Sequence, residues 1–600
     1  MNEESKSIWK KSRNLPGSFL GWLILVTGIA LFISLLGALI VDGMRWKEDW
    51  RAVAVIIVIS VAGTSLFFFI RWLCCWRNFR RFLLGLAGLA VLIALFYAEE
   101  DWRGWHAWQK FKHEWEAKGE RFDMASVIPP TVPNDQNFAM APIWVESMKA
   151  VLGPKNSRSW FGNKFPDNGR TNFTDRLALD IVRNNDWGNE PTNGNWAKGT
   201  ITDLKPWQTY YRTPAATNRD STIETNEFSV ALQPQSPAAD VLLALGKYDS
   251  TIEELRQASL LPYSRFPLNY DDENPAEIML PHLAALKRCA QVLEQRAVAE
   301  LQNNQSEKAL EDIKLTLRLT DSIRSEPLLI SHLVRIAILQ ITLQPVYEGL
   351  AEHKLSDAQL AELDSELSKL DFLDDYKLAM HGEMGFQDGI IRYLRQHSGQ
   401  YLNLIGDAGN YGHMSAAEFI VATTMHFHLV PSGWFYQNQL HCARAMEEFY
   451  LPVADVNQQT FMPALIQRAD TAIESERKNL TPFNILECLM FPALSSAAKR
   501  FACAQSSTDL ARVAIALERY RIAHGEYPES LDPLAPQFIA KLPHDIINGQ
   551  PLHYRRDASG QFVLYSVGWN EKDDGGVVGL TEGGSLDTAK GDWVWRYPAK

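Results

Sequence analysis

The chain lacks the short motifs that would assign it a reaction. Its six cysteines (74, 75, 289, 442, 488 and 503) form no C-x-x-C pair and no zinc-type spacing, and they are too scattered to indicate a disulfide framework. H-E-x-x-H, G-x-S-x-G and a phosphate-cradling glycine loop are also missing. The sequence therefore assigns no catalytic residue.

The chain also lacks an excess of basic side chains. It carries 59 Lys and Arg against 71 Asp and Glu, so its formal net charge is −12. This balance argues against a nucleic-acid partner, because phosphate-backbone binding needs a strongly positive surface. With 600 residues, the chain is too long for a single core, and several domains are expected.

Long apolar runs are present, and all three fall in the first 98 residues. The runs are 19–41, 52–70 and 82–98, and the first of them has 23 residues without a charge. About 20 such residues cross the hydrocarbon core of a bilayer as a helix. We therefore predict a three-helix membrane anchor over 1–98, with the lipid bilayer as a partner.

The basic residues around these runs predict how the anchor is oriented. They precede the first run and fill the loop between the second and third runs: Lys6, Lys10, Lys11, Arg13, Arg71, Arg77, Arg80 and Arg81. The third run is followed by Glu99, Glu100 and Asp101. Positive loops stay in the cytoplasm. We expect a multi-pass protein of the bacterial inner membrane, with a cytoplasmic amino terminus and an extracytoplasmic remainder.

An aromatic face continues the third run. Its members recur every three or four residues: Trp102, Trp105, Trp108, Phe111 and Trp115. Such a face suits the membrane–water boundary, and it equally suits a hydrophobic core. Both interpretations stay open at the sequence level.

The next part, 99–235, reads as this interfacial helix, a proline-rich linker and an irregular segment rich in Asn and Trp. Pro129, Pro130, Pro133 and Pro142 favour an extended linker. Asn172 begins a glycosylation sequon, a match that arises easily by chance.

Helical patterns dominate 236–489, which we predict to be an α-helical body. Ser236-Pro237, Ser250-x-x-Glu253, Asn274-Pro275 and Ser356-x-x-Gln359 are expected helix starts. Two helices joined by Asn-Asn-Gln at 303–305 resemble one tetratricopeptide hairpin, although no regular 34-residue period is found. The apolar segment 326–350 carries His332 and Arg335, so we interpret it as a buried helix and not as a fourth span.

Two groups of polar residues in the body are candidate reaction sites. His426, His428 and His441 are followed by Glu447 and Glu448, but two histidines at i and i+2 on a helix point apart, which disfavours a shared metal ion. Glu383 and Asp388 are a pair of carboxylates five residues apart, a spacing that places them poorly on one helix face.

The last part, 490–600, is predicted to be a small α+β module. A helix is expected over 508–524 with Gly525 ending it, followed by a loop and then a strand within 542–556, and by a second, alternating strand over 560–568. Helix, "GEYPESL", "LPHDIINGQPLHY", "LYSVGWNEKDDGG" and "LDTAKGDW" follow in that order. This order resembles the globular domain of type II secretion major pseudopilins. The whole chain is similar to a group of bacterial multi-span envelope proteins of no known activity.

The resemblance implies a calcium ion in the terminal loop. The matching positions carry oxygen side chains, which calcium prefers: Asn570, Asp573, Asp574, Asp587 and Asp592. Because Asp573-Asp574-Gly575-Gly576 can equally be a metal-free turn, both interpretations stay open.

The fold class expected from all this is mainly α, with three transmembrane helices, an extracytoplasmic helical body and a pseudopilin-like α+β module. We expect an interaction or assembly role in the cell envelope, with secretion or pilus proteins as partners. The alternatives are an envelope hydrolase with its site in the helical body and a helical-repeat receptor for a ligand.

Overall fold

The computed structural model describes residues 19–40, 49–161, 173–183, 190–213, 228–400, 430–557 and 560–598. The chain divides into two compact units, Met1–Trp102 and Arg103–Lys600. Within the described residues it is mainly helical, and its few short strands lie toward the carboxyl terminus. This confirms the predicted mainly-α class with a small β component.

Sixteen α-helices lie in the described part of the chain. In order, α1 to α16 are Phe19–Ile40, Asp49–Leu73, Trp76–Glu116, Pro142–Phe161, Leu204–Arg212, Pro237–Leu245, Asp249–Ser259, Pro281–Gln302, Ser306–Asp321, Leu329–Ala351, Asp357–Leu367, Phe372–Gln396, Ser432–Ala445, Pro463–Lys478, Ile485–Met490 and Pro492–His524. A π-helical turn, Met446–Tyr450, follows α13.

Seven short strands, also counted over the described residues, form three antiparallel sheets. They are β1 Ala454–Asp455, β2 Thr460–Phe461, β3 His553–Arg556, β4 Phe562–Ser566, β5 Val578–Leu580, β6 Leu586–Gly591 and β7 Trp593–Arg596. β3, β4 and β7 make one sheet with β4 in the middle, and β5 and β6 make a separate hairpin. The strand predicted within 542–556 and the strand predicted over 560–568 are confirmed as β3 and β4.

Two helices in the described segments are long and apolar enough to cross a membrane, α3 and α10. The apolar window of α3 has no buried residue, and α3 contains the third predicted run, 82–98. The other two predicted runs fall in α1 and α2. The described apolar stretches there, Gly21–Ala30 and Val61–Leu73, are shorter than a membrane span. The described residues therefore do not support three membrane-spanning helices in the amino-terminal region. Val41 and the basic amino-terminal segment lie outside the described residues.

The second of these helices, α10, belongs to the core of the helical body. Its apolar window is 61% buried, and Leu339, Leu343 and Val346 are fully buried in the largest hydrophobic cluster. Its Arg335 is also fully buried, in an ion pair with Asp375 of α12. An apolar helix that packs on all sides has the same composition as a membrane span.

The aromatic face of α3 has a mixed environment. Trp108 is buried and Phe111 and Trp115 pack against the same core, whereas Trp102 and Trp105 are 63% and 46% exposed. The core interpretation is thus correct for the carboxyl-terminal part of the face.

Gly104 of α3 permits a close approach of two helix backbones. A methyl group on it would lie 2.1 Å from the carbonyl oxygen of Gly433, at the start of α13. Only glycine fits this contact, because any side chain would push the helices apart.

Several predicted helix boundaries are confirmed, and others are wrong. Ser236 caps α6 ahead of Pro237, Ser356 and Gln359 form a capping box at α11, and Gly525 ends α16 in the left-handed conformation. Other starts differ, since Ser250 lies inside α7 and Asn274 caps only a short 3₁₀ turn before α8 begins at Pro281.

The predicted irregular segment contains two helices, α4 and α5. Pro142 is the first residue of α4, because proline is tolerated where the helix has no N–H partner to lose. Asn172, the start of the sequon, lies outside the described residues.

The long helix α16 joins the helical body to the carboxyl-terminal sheet. Its fully buried Phe501 and Leu510 belong to the same hydrophobic cluster as Leu564 of β4 and Trp595 of β7. The body and the module therefore share one continuous core.

Candidate functional site

A cavity of about 560 Å³ lies where the helical body meets the carboxyl-terminal strands. It is lined by helices α8, α10 and α16, by the β5–β6 hairpin and β7, and by the segment 194–197. A pocket of this volume, with apolar walls and a few polar groups, is the usual form of a small-molecule site.

Each of the three helices contributes a stripe of polar side chains. α8 provides Lys287, Gln291 and Glu294, α10 provides Gln340 and Gln344, and α16 provides Arg500, Cys503 and Ser507. The spacing within each stripe is three or four residues, which places its members on one helix face. Apolar side chains of α10, Leu333, Ile336 and Ile341, lie among them.

Two of these polar groups are fixed by hydrogen bonds. Gln344 Nε2 donates to the carbonyl oxygen of Thr200 (3.1 Å) and to Oε1 of the buried Glu348 (2.7 Å). Gln340 Nε2 donates to Ser507 Oγ (3.4 Å), which links α10 to α16. The wall is therefore preformed.

Some of the ionisable side chains that line the cavity are neutral or ion-paired, and others are not. Burial raises the pKa of Glu294 to about 8, partly offset by a hydrogen bond with Asn193, so this carboxyl is largely neutral at pH 7. Lys590 Nζ lies 3.1 Å from Asp587 Oδ2. Lys287 and Arg500 line the cavity as exposed side chains with no ion pair to a described carboxylate, so the cavity presents two exposed cations.

The structure brings three of the five predicted calcium ligands together. Asn570 Nδ2 donates to Asp574 Oδ2 (2.8 Å), and the backbone N–H of Asp574 donates to Asp592 Oδ1 (3.1 Å). Asp592 is 1% exposed, and its Oδ2 accepts from the N–H of Gly576 (2.6 Å). Burial raises the pKa of Asp592, while these N–H groups partly offset the effect.

The other two predicted ligands point elsewhere. Asp573 Oδ1 accepts from the N–H of Gly575 (2.9 Å) and from Tyr565 Oη (3.0 Å), and the pKa of Asp573 is lowered by these bonds. Asp587 Oδ1 accepts from the N–H of Ala589 (3.1 Å), which lowers its pKa. The turn is held by its own N–H groups, and calcium binding in it stays a prediction.

The structure does not bring the described candidate histidines and acids of the body together at one site. His426 and His428 lie outside the described residues. Glu447 is buried in the π-turn, where burial and the charge of Glu120 raise its pKa to about 7. His441, in contrast, lies beside Glu476 of α14 and Glu487 of α15, two acids that the sequence did not single out.

The paired carboxylates of α12 have separate partners. Glu383 Oε1 accepts from Gln387 (3.4 Å), and burial raises the pKa of Glu383 to about 7. Asp388 Oδ2 pairs with Arg392 (2.9 Å), and its Oδ1 accepts from Gln439 (2.6 Å).

The cavity was missed at the sequence level, although a signal was present. Polar residues at three- and four-residue spacing interrupt otherwise apolar helix faces in α8, α10 and α16. Which of these faces meet depends on tertiary packing, which periodicity alone does not give. Comparison with protein-family models, with curated proteins and with solved structures finds no match to this chain.

Proposed function

We propose that this protein is a membrane-anchored extracytoplasmic receptor that binds a small amphipathic anion in the cavity between α8, α10, α16 and the β5–β6 hairpin. The cavity itself is the observation that supports this function. Its apolar wall suits a hydrocarbon or aromatic body, and its two exposed cations suit an anionic end.

The test is binding of a fluorescent amphipathic carboxylate to the full chain in lipid nanodiscs. Ala337 lines the cavity from α10, and Ala337→Trp places a large ring in the ligand's space. We expect this variant to lose binding while its thermal unfolding midpoint stays close to that of the wild type. Tight binding by Ala337→Trp would contradict the proposal.

Charge reversal of a cavity cation tests the orientation of the ligand. Arg500→Glu replaces an attraction by a repulsion, and we expect the dissociation constant to rise at least about tenfold, or about 1.4 kcal/mol. Lys541→Glu is the matched control, because Lys541 is exposed and does not line the cavity. An equal effect of both substitutions would show that only the overall charge matters.

The membrane topology belongs to the same proposal. Three amino-terminal helices in the bacterial inner membrane, with a cytoplasmic amino terminus, would put the cavity outside the cytoplasm. The exposed apolar window of α3 and the basic loop between the second and third runs support this arrangement. Alkaline phosphatase fused after residue 600 should be active, and an inactive fusion would overturn the orientation.

An interaction or assembly role in the envelope is the second candidate. It is supported by the ordered motifs of the carboxyl-terminal module and by the long helix that carries them. The tagged protein should recover secretion or pilus proteins from solubilised membranes. If it recovers none of them, this candidate loses its support, while ligand binding in the cavity is unaffected.

A further inference from the structure

Three side chains of the kinds that bind metal ions lie together in the helical body, and none of them lines the cavity. They are His441 of α13, Glu476 near the end of α14 and Glu487 of α15. Each offers one ligand atom, and the three atoms lie within 4.8 Å of one another. His441 Nδ1 lies 3.6 Å from Glu487 Oε2.

These separations fit one first-row divalent ion. Zinc lies about 2.0–2.2 Å from histidine nitrogen and carboxylate oxygen. Ligand atoms around a tetrahedral ion at that radius are therefore roughly 3.4 Å apart. The His441–Glu487 distance is close to this value, so a small side-chain adjustment would bring the atoms onto one ion.

A buried carboxylate oxygen faces His441 at ion-pair distance without a hydrogen bond. Glu487 is 6% exposed, and its Oε2 has no hydrogen-bond partner among the described residues. Oε2 of Glu476 likewise lacks one. Two carboxylates so close together, with little access to water, need a positive charge or a shared proton between them.

The helices that carry the group are held firmly. Asn438 of α13 accepts from the N–H of Leu486 through Oδ1 (3.1 Å) and donates to the carbonyl oxygen of Pro482 through Nδ2 (2.7 Å). These bonds tie α13 to the start of α15, next to Glu487. A metal site requires such fixed ligand positions.

We propose that His441, Glu476 and Glu487 bind one divalent transition-metal ion of the zinc class. One imidazole and two carboxylates are ligands that this class accepts. Three protein ligands leave a fourth position open, and the imidazole side of the group is accessible because the His441 side chain is 32% exposed. The site is independent of the cavity described above.

The experiment uses the full chain without a histidine tag, stripped with a chelator and then equilibrated with Zn²⁺. We expect one zinc per chain by elemental analysis after removal of the excess. His441→Ala and Glu487→Gln should each weaken zinc binding at least about tenfold in competition with a chromophoric chelator. His441 is partly exposed, so its variant should fold even where the change of a buried acid does not.

Glu474→Gln is the matched control, since Glu474 is exposed on the same helix as Glu476 and is not part of the group. It should bind zinc like the wild type. Absence of zinc from the wild-type chain, or wild-type affinity in His441→Ala, would overturn the site and leave a shared proton between the two acids.

Discussion

The ion pair between Arg335 and Asp375 should tolerate the loss of both partners far better than the loss of one. Arg335 of α10 is fully buried, Asp375 of α12 is 2% exposed, and their charged groups are in contact. Arg335 Nε donates to the carbonyl oxygen of Thr320 (3.1 Å), and its guanidinium lies 5.0 Å from the ring centroid of Phe372. Neither charge can move to water without unpacking the core.

Asp375→Leu leaves the positive charge of Arg335 buried with only the half-exposed Asp321, whose Oδ1 lies 4.0 Å from the guanidinium, as a counter-ion. We expect the free energy of unfolding to fall by about 3–5 kcal/mol. The double variant Arg335→Met/Asp375→Leu removes both charges and should lie within about 1 kcal/mol of the wild type. Arg324→Met is the control, because Arg324 lies 3.5 Å from Asp375 Oδ1 but its side chain is 41% exposed. Its loss should cost less than about 1 kcal/mol.

The measurement is urea unfolding of the full chain in detergent, monitored by tryptophan fluorescence. A loss below about 1 kcal/mol in Asp375→Leu would refute the burial argument. Strict additivity of the two single substitutions in the double variant would refute the pairing. Either result would also argue against the burial of the apolar helix α10 in the core of the helical body.

Two further predictions concern stability. A methyl group at Gly382 of α12 would overlap the carbonyl oxygen of Pro327 at 1.5 Å, so Gly382→Ala should cost about 3 kcal/mol or more in thermal unfolding. Gly246→Ala, where the nearest atom lies 3.5 Å away, should be nearly neutral, and similar midpoints for both variants would contradict the packing. Burial raises the pKa of Asp509 from 3.8 to about 7, so the folded chain holds this proton while the unfolded chain releases it. The stability contributed by protonated Asp509 is therefore fully present below about pH 4 and is lost as the pH rises through about 7. At pH 8, the free energy of unfolding of Asp509→Asn should exceed that of the wild type by about 2–4 kcal/mol. Parallel pH profiles for Asp509→Asn and the wild type would refute this assignment.

Local signals were enough for much of the secondary structure. Ser236, Ser356 and Gly525 end or begin helices as predicted, because caps are satisfied by residues within one turn. The hairpin strands of the carboxyl-terminal module also follow from alternation over a few residues. The predicted helix start at Asn274 is wrong, since Asn274 uses its side chain to cap a separate 3₁₀ turn and α8 begins seven residues later, at Pro281.

Long-range features were less accessible to the sequence. Hydropathy does not distinguish α10 in a protein core from a helix in lipid, because both are apolar on all faces. The sequence does not decide between a core and an interfacial environment for the aromatic face of α3, whose carboxyl-terminal members are buried or partly buried and whose first two members are exposed. The cavity and the His441 group each combine residues from three or more elements that are distant in sequence, and no local period records which faces meet.

The continuity of α16 has a consequence for how the carboxyl-terminal module can work. A chain cut before residue 490 would lose Phe501 and Leu510, and the body would expose the apolar surface that they cover. The module is therefore not an independent domain. Its removal by a protease or by truncation would destabilise the helical body. A displacement of β4 or β7, by force or by a binding partner, would be transmitted through α16 to α10 and α12. The module can therefore act on the conformation of the helical body.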